Sequence, residues 1–179
     1  RGISPAAAES AQHLPGGGSV AYVEGDKVVI GSDRALSRAG IANPLAEQGR
    51  TLQDEGNIPV FVVVNGEVVG AIALADPPRP EAAEAVARLR AAGLRVVLVT
   101  GDTARTARAV AASVGIDQVF AATGPEDKAA QIRRFQDAGD CVVMVGDDVN
   151  DAPALLQADA GIAVAGASAV TRQSAEVTV

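Results

Sequence analysis

The sequence predicts an α/β protein in two parts, an antiparallel α+β region followed by a domain built on a parallel sheet. Asn65-Gly66 separates two β-branched runs, and this dipeptide favours a β-hairpin because a type I′ turn needs positive φ at both central residues. After Pro80, short apolar runs alternate with helical patterns that end at glycine, which is typical of a parallel sheet with helical crossovers. Between the two parts, the prolines of residues 76–80 predict a stiff connector.

The first region, residues 1–75, is expected to contain two hairpins with two helices packed on them. The Ala-rich residues 1–14 are weakly patterned, and no element is predicted there. Strands are predicted at 20–24 and 27–30, with Gly25-Asp26 as their turn, and at 58–64 and 67–74. A helix capped by Ser32 or Asp33 is expected to end at Gly40, and a second helix occupies about 44–55.

The second region, residues 76–179, is expected to alternate strands and helices with right-handed crossovers. The predicted helices are 81–92, 103–114, 126–138 and 153–158. The predicted strands are 95–99, 118–121, 141–145, 161–165 and 176–179. The apolar run from Val142 to Val145 suggests a strand buried on both faces, and Cys141 is interpreted as a buried structural residue.

Composition excludes several classes of function. The chain has 179 residues and a net charge of −7, which argues against a nucleic-acid partner or an anionic-membrane anchor. One Cys and one His allow neither an internal disulfide nor a zinc site. No apolar run approaches the roughly 20 residues of a membrane span. Aromatic residues make up only 2%, so the core must be built from Ala, Val, Leu and Ile.

The densest polar cluster follows the predicted strand that ends at Val145. Asp147, Asp148, Asn150 and Asp151 lie within five residues. Polar groups at the carboxyl end of a parallel strand lie in the crevice where open α/β sheets bind ligands. Asp147 and Asp151 could supply oxygen ligands for Mg²⁺, with phosphate oxygens and water completing the shell. The alternative is an acidic turn that caps the next helix.

Three other positions have both a functional and a structural interpretation. Thr100-Gly101-Asp102 precedes a helix and could bind an anion, or Asp102 or Thr103 could cap that helix. Lys128 lies in the first turn of a helix, where its charge opposes the helix dipole, although an exposed lysine there is common. The glycine-rich loop 15–18 could let backbone amides approach a nucleotide, or could simply lead into a strand.

These motifs resemble those of a known family. Gly146–Leu155 resembles the GDGxNDAPAL signature of P-type cation-transporting ATPases, which belong to the haloacid-dehalogenase-like superfamily, although Asp148 replaces its second Gly. Thr100-Gly101-Asp102 and Pro125–Lys128 match further motifs of that family. Asp76–Arg79 resembles its hinge, and the glycine loop with Val29–Gly31 is similar to the heavy-metal, copper-exporting-like class.

The resemblance implies a role for each matching residue. Five residues would take part in catalysis: Thr100, Lys128, Asp147, Asn150 and Asp151. Of these, Thr100 and Lys128 would bind phosphate, Asn150 would orient the phosphoryl group or Asp147, and Asp147 and Asp151 would hold Mg²⁺. Four residues would serve the nucleotide ATP: Gly16, Gly18, Gly101 and Asp102.

Two elements of the family do not occur in this sequence: the His-Pro pair beside the adenine, and the Asp-Lys-Thr-Gly-Thr motif that carries the nucleophilic Asp. Residues 1–75 are therefore expected to form a partial nucleotide-binding domain. Residues 76–179 are expected to form a Rossmann-like phosphorylation domain of the haloacid-dehalogenase-like type that lacks its nucleophile strand. That strand would lie between those ending near Thr100 and Asp147, so a vacant position in the sheet, exposed edges or a rearranged order is expected.

The resemblance implies the cytoplasmic portion of an integral membrane transporter that uses ATP hydrolysis, through an aspartyl-phosphate, to move a heavy-metal cation. Its partners would be ATP, the upstream nucleophile segment and the transmembrane helices, and this portion alone would be inactive. Two alternatives stay open. A soluble phosphatase of the superfamily is disfavoured by the hinge and the glycine loop, whereas a non-catalytic nucleotide- or Mg²⁺-binding module is favoured by Asp148 and the missing nucleophile.

Overall fold

A computed structural model describes residues 6–14 and 18–179. The chain divides into two compact units. One comprises the residues up to Arg88 together with Arg108–Gly115, and the other comprises Leu89–Ala107 and Ile116–Val179. The domain boundary at residue 76 remains a prediction.

The first unit contains a five-stranded antiparallel sheet in which each strand pairs with the next along the chain. The strands are β1 (Ala8–Leu14), β2 (Gly18–Val23), β3 (Asp26–Gly31), β4 (Ile58–Val64) and β5 (Glu67–Leu74). Two helices lie between β3 and β4 in the chain: α1 (Asp33–Arg38) and α2 (Ala46–Asp54). Of the two predicted caps, Ser32 caps α1, because its side chain accepts a hydrogen bond from the amide of Ala35 at 3.2 Å.

Strand β1 was not expected. Its residues are almost all exposed. In its sequence, AESAQHL, apolar and polar side chains do not alternate, so no pattern predicts a strand there. Pairing with β2 defines the strand instead, and its register shifts between Glu9 and Gln12. Ser10 lies in that irregular stretch with a φ of 55°.

Of the two predicted hairpin turns, one is confirmed and one is displaced. Asn65 and Gly66 have φ values of 49° and 92°, as a type I′ turn requires. In the first hairpin the two positive φ values belong to Glu24 (52°) and Gly25 (89°), one residue earlier than predicted. Gly25 therefore takes the second turn position, and Asp26 begins β3.

The two faces of the antiparallel sheet differ in burial. On one face, Val29, Phe61 and Val63 form a core with Leu36 of α1. Gly49 of α2 permits this packing, because a Cβ there would lie 2.5 Å from Cζ of Phe61. Side chains alternate along a strand, so the opposite face, here called the outer face, carries Ile30, Ile58, Ile72 and Leu74, which are 41–51% exposed.

The remaining elements alternate along the chain in the predicted order. The helices are α3 (Ala82–Ala91), α4 (Ala104–Val114), α5 (Pro125–Asp137), α6 (Ala152–Gln157) and α7 (Ala169–Gln173), with a 3₁₀ turn at Val149–Asp151. The strands are β6 (Val97–Val99), β7 (Gln118–Phe120), β8 (Val143–Gly146), β9 (Ala160–Ala163) and β10 (Val177–Thr178). Helix α7, with only five residues, was not predicted; it begins after Ser168, whose side chain accepts from the amide of Thr171.

The parallel strands form two sheets. One has the order β10-β9-β8 and the other consists of β6 and β7. Within the described residues, β6 pairs only with β7 and β8 only with β9. This separation agrees with the expectation that the strands ending near Thr100 and Asp147 are not direct neighbours. Each of them has one edge with no hydrogen-bonded partner in the part of the chain that the structure describes.

Strand β8 is not buried on both faces. Val143 and Val145 are 56% and 55% exposed. They share one face of the sheet with Val177, which is 45% exposed. Cys141, interpreted as buried, is exposed as well. An apolar sequence indicates which side chains prefer burial, but exposure depends on whether another element covers that face.

Glu176, which directly precedes β10, links that strand to β9. Its carboxylate accepts a hydrogen bond from the amide of Gly161 in β9. That bond, followed by one from its own backbone, lowers the pKa of Glu176 below its ordinary value. A carboxylate with a lowered pKa stabilises the folded state above its unfolded pKa of about 4.3, and this contribution is lost as the pH falls through the lower folded value. Glu176→Gln is therefore expected to lower the urea midpoint at pH 7 and to have a smaller effect at pH 3.

The control is Glu67→Gln, which changes an exposed carboxylate at the start of β5. Its effect on the urea midpoint is expected to be small at both pH values. An effect of Glu176→Gln that is the same at pH 3 and pH 7 would contradict the role of the ionised carboxylate.

Candidate functional site

The predicted catalytic residues lie at strand ends and at one helix start. Strand β8 ends at Gly146 and leads into Asp147 and the 3₁₀ turn, whereas β6 ends at Val99 and leads into Thr100. Helix α5 begins at Pro125 after the N-cap Gly124. This start, which suits proline because the first helical position needs no hydrogen-bond donor, places Lys128 in the first turn.

Lys128 and Asp151 form a largely buried ion pair. The Lys128 Nζ donates to Oδ1 of Asp151 at 2.7 Å, and the two side chains are only 13% and 8% exposed. A lysine in a first helical turn opposes the helix dipole, and the nearby carboxylate offsets that unfavourable position. The pair joins the start of α5 to the loop after β8.

The second carboxylate oxygen of Asp151 is also engaged. Its Oδ2 accepts from the backbone amides of Asp147 at 3.2 Å and Asp148 at 3.3 Å. Gly146 leaves room for this arrangement, because a Cβ on Gly146 would lie 2.8 Å from Oδ2 of Asp151. Asp151 therefore shapes the loop and holds Lys128, and these three hydrogen bonds leave its carboxylate less available to a metal.

Asp147 has an exposed side chain. Its backbone is fixed on both sides, since its amide donates to Asp151 and its carbonyl accepts from the Ser168 amide at 3.3 Å. In the described part of the chain, no group of three or more His, Cys, Asp and Glu side chains could hold a metal ion. Mg²⁺ typically uses one or two carboxylates together with water and phosphate. The exposed carboxylate of Asp147 fits such an ion, whereas Asp151 is less available.

The side chain of Asp148 accepts two hydrogen bonds that were not predicted from the sequence. Its Oδ1 accepts from the Val149 amide at 2.7 Å, and its Oδ2 accepts from Nδ2 of Asn150 at 2.8 Å. With Asp151 it forms a capping box around the 3₁₀ turn. The spacing of Asp148 and Asp151 resembles a capping box, which was the available signal.

Thr100, Gly101 and Asp102 form a second polar group. The Thr100 hydroxyl donates to Oδ2 of Asp102 and accepts from the Asp102 amide, both at 3.1 Å. The following loop fixes this group, because Ala122 donates to the carbonyl of Asp102 and Thr123 to that of Thr100. Gly101 is exposed. Of the two alternative caps for α4, the structure uses Thr103, whose Oγ1 accepts from the Thr106 amide.

The predicted nucleotide glycines are only partly described. Gly16 lies outside the described residues. Gly18 begins β2, and a Cβ there would lie 2.8 Å from the carbonyl oxygen of Ile30. Packing of β2 against β3 is thus sufficient to explain a glycine at this position, and its role toward ATP remains a prediction.

The structure thus links four of the five predicted catalytic residues around the 3₁₀ turn: Lys128, Asp147, Asn150 and Asp151. The loop after β8 carries the exposed Asp147 and the side-chain amide of Asn150, and its Asp151 holds the largely buried cation of Lys128. Such a group can bind a phosphoryl group with a divalent cation, because it supplies charge of both signs and hydrogen-bond donors.

The comparison with protein families places the chain in a class. The family model described as haloacid dehalogenase-like hydrolase matches residues 2–159, and the chain belongs to this family. It is 43% identical over 180 residues to the probable copper-exporting P-type ATPase V of Mycobacterium tuberculosis. It is also 43% identical over 157 residues to the silver exporting P-type ATPase of Salmonella typhimurium. These alignments cover 99% and 87% of this chain but only 23% and 19% of those relatives.

Solved structures that are similar to this chain also include P-type ATPases. A zinc-transporting PIB-type ATPase in its E2·Pi state is similar with a TM-score of 0.64 and 36% identity, over 94% of this chain and 27% of that one. The catalytic domain of the CPx-ATPase CopB-B has a TM-score of 0.71 at 20% identity, over 98% of this chain and 62% of that one; this likeness shows the fold alone. Within residues 6–14 and 18–179, no helix has the length and apolar character needed to cross a membrane.

Proposed function

We propose that this chain is the ATP-processing cytoplasmic portion of a P-type ATPase that transports a heavy-metal cation, of the copper-exporting-like class. The observation that carries this proposal is the Lys128–Asp151 pair beside the exposed Asp147 at the end of β8. The names of relatives 43% identical to this chain support it. They also favour a transporter over a soluble phosphatase or a non-catalytic module.

Phosphoryl transfer depends mainly on positioning and charge neutralisation. Each residue of the site would contribute to one of these two requirements. Asp147 would hold Mg²⁺, which when bound would neutralise charge on the phosphoryl oxygens. Lys128 supplies a second positive charge, and Asp151 positions it. Asn150 offers an amide donor, and Thr100 offers a hydroxyl that donates to Asp102 in the structure. Gly16, Gly18, Gly101 and Asp102 would serve ATP.

The nucleophile would come from the upstream segment of the parent transporter. An aspartyl-phosphate requires an Asp at the site, and the expected Asp-Lys-Thr-Gly-Thr motif does not occur in this sequence. Among residues 6–14 and 18–179, β6 and β8 each have an edge with no paired strand, which supports a place for one additional strand between them. The upstream segment and the transmembrane helices are therefore the proposed partners, and this chain alone would form no phosphoenzyme.

Labelling with γ-labelled ATP and Mg²⁺, followed by an acid quench, tests this function. The 179-residue chain is expected to stay unlabelled. The same chain joined to the upstream segment encoded by its gene is expected to acquire acid-stable label that hydroxylamine removes. Label on the chain alone would show that the nucleophile lies within it. No label on the joined protein would contradict the transporter mechanism.

A further inference from the structure

The Asp148 side chain makes contacts that a glycine could not. Both of its carboxylate oxygens accept hydrogen bonds, one from the Val149 amide and the other from Asn150 Nδ2. Its backbone is extended, with φ −94° and ψ 155°, so this position has no conformational need for glycine. Asp148 replaces the glycine of the resembling signature without backbone strain and adds an acceptor beside Asn150.

The contact with Asn150 fixes the orientation of an amide. A free asparagine side chain can present either its carbonyl oxygen or its NH₂ group in a given direction. An ionised carboxylate only accepts hydrogen bonds, so the NH₂ group of Asn150 must face Asp148. Its carbonyl oxygen and second N–H proton then keep fixed directions. Charge-assisted bonds of this kind are stronger than neutral ones, which favours a single orientation.

We infer that Asp148 is a positioning residue that holds the side-chain amide of Asn150 in one orientation in the loop that follows β8. The chemical part of this inference rests on the proposed function, in which Asn150 orients the phosphoryl group or the carboxylate of Asp147. Asp148 itself touches neither phosphate nor metal in this role. Its carboxylate is occupied by the 3₁₀ turn, so its contribution to phosphoryl transfer passes through Asn150.

Nuclear magnetic resonance of the 179-residue chain tests the contact without requiring activity. The two side-chain amide protons of Asn150 are expected to have well-separated shifts and slow exchange with water. Asp148→Gly should bring the shifts together and accelerate exchange, whereas Asp148→Asn, which retains a carbonyl acceptor, should preserve much of the separation. Asp137→Asn, at an exposed position at the end of α5, serves as the charge control and should leave the Asn150 signals unchanged.

Unchanged Asn150 signals in Asp148→Gly would overturn the inference, provided that the backbone spectrum shows a folded protein. This result stands whether or not the proposed function holds. Failure of the joined protein to form a phosphoenzyme would contradict the proposed function, whereas loss of the Asn150 signature in Asp148→Gly would still establish the contact.

A double-mutant cycle in the joined protein tests the chemical role. Asp148→Gly is expected to slow phosphoenzyme formation about fivefold at saturating ATP, as for a coupling of about 1 kcal/mol between contacting residues. The KM for ATP should stay the same. In an Asn150→Ala background, Asp148→Gly should have no further effect. If the rate loss persists in that background, Asp148 acts by a route other than Asn150 and the positioning role is wrong.

Discussion

Asp151→Ala is expected to lower the free energy of unfolding by about 3–5 kcal/mol, because removing one partner of a buried ion pair leaves the other charge uncompensated. Lys128 would remain in a site where the two side chains are only 13% and 8% exposed. The amides of Asp147 and Asp148 would also lose their acceptor. Urea unfolding followed by far-ultraviolet circular dichroism measures the change.

The matched control for Asp151→Ala is Asp147→Ala, four residues earlier in the same loop. The Asp147 side chain is exposed, and surface substitutions of this kind usually change stability by less than about 0.5 kcal/mol. Lys128→Met should be nearly as damaging as Asp151→Ala, because it leaves the buried carboxylate without its cation. A cost below about 1 kcal/mol for Asp151→Ala would show that the pair contributes little to the fold.

Asp147→Ala is expected to slow phosphoenzyme formation by about 10³-fold in the protein joined to its upstream segment. The metal contributes several kcal/mol of charge stabilisation, and about 4 kcal/mol corresponds to that factor in rate. The Asp147 side chain is exposed and its carboxylate makes no contact that shapes the turn in the way that those of Asp148 and Asp151 do, so its removal should impair the Mg²⁺ site while the loop stays in place. Rapid acid quench at saturating ATP over a range of Mg²⁺ concentrations measures the rate.

Two controls show whether the slower phosphoenzyme formation comes from the chemical step and not from a general charge effect or from unfolding. Asp137→Asn removes an exposed charge elsewhere and is expected to label at the wild-type rate. Circular dichroism should show Asp147→Ala folded as well as the wild type. A loss of less than tenfold, at any Mg²⁺ concentration that saturates the wild type, would mean that Asp147 is not the principal metal ligand.

Local signals in the sequence predicted much of the fold. The Asn65-Gly66 turn and the Ser32 cap depend on residues within four positions of each other, and both are confirmed. The alternation after Pro80 also predicted the order of helices and strands, apart from α7. Strand β1 was missed because its register comes from β2 rather than from its own pattern. Exposure of Val143 and Val145 could not be predicted, because it depends on which element covers that face.

The candidate site was predictable as a set of residues but not as a network. Polar side chains after β6 and β8 mark the two strand ends, and the family resemblance assigned their roles. The contact between Lys128 and Asp151 joins residues 23 positions apart, so only the fold reveals it. Asp148 appeared in the sequence as a departure from the signature, whereas in the structure it caps the 3₁₀ turn and binds Asn150.

The outer face of the antiparallel sheet affects how the isolated chain should be handled. Ile30, Ile58, Ile72 and Leu74 leave apolar surface in contact with water. Attraction between such surfaces weakens on cooling and strengthens in sulfate or phosphate salts. Solutions of this chain are therefore expected to stay clear longer on ice than at 37 °C. Ammonium sulfate should precipitate the chain at lower concentration than a protein of similar size whose sheet is covered on both faces.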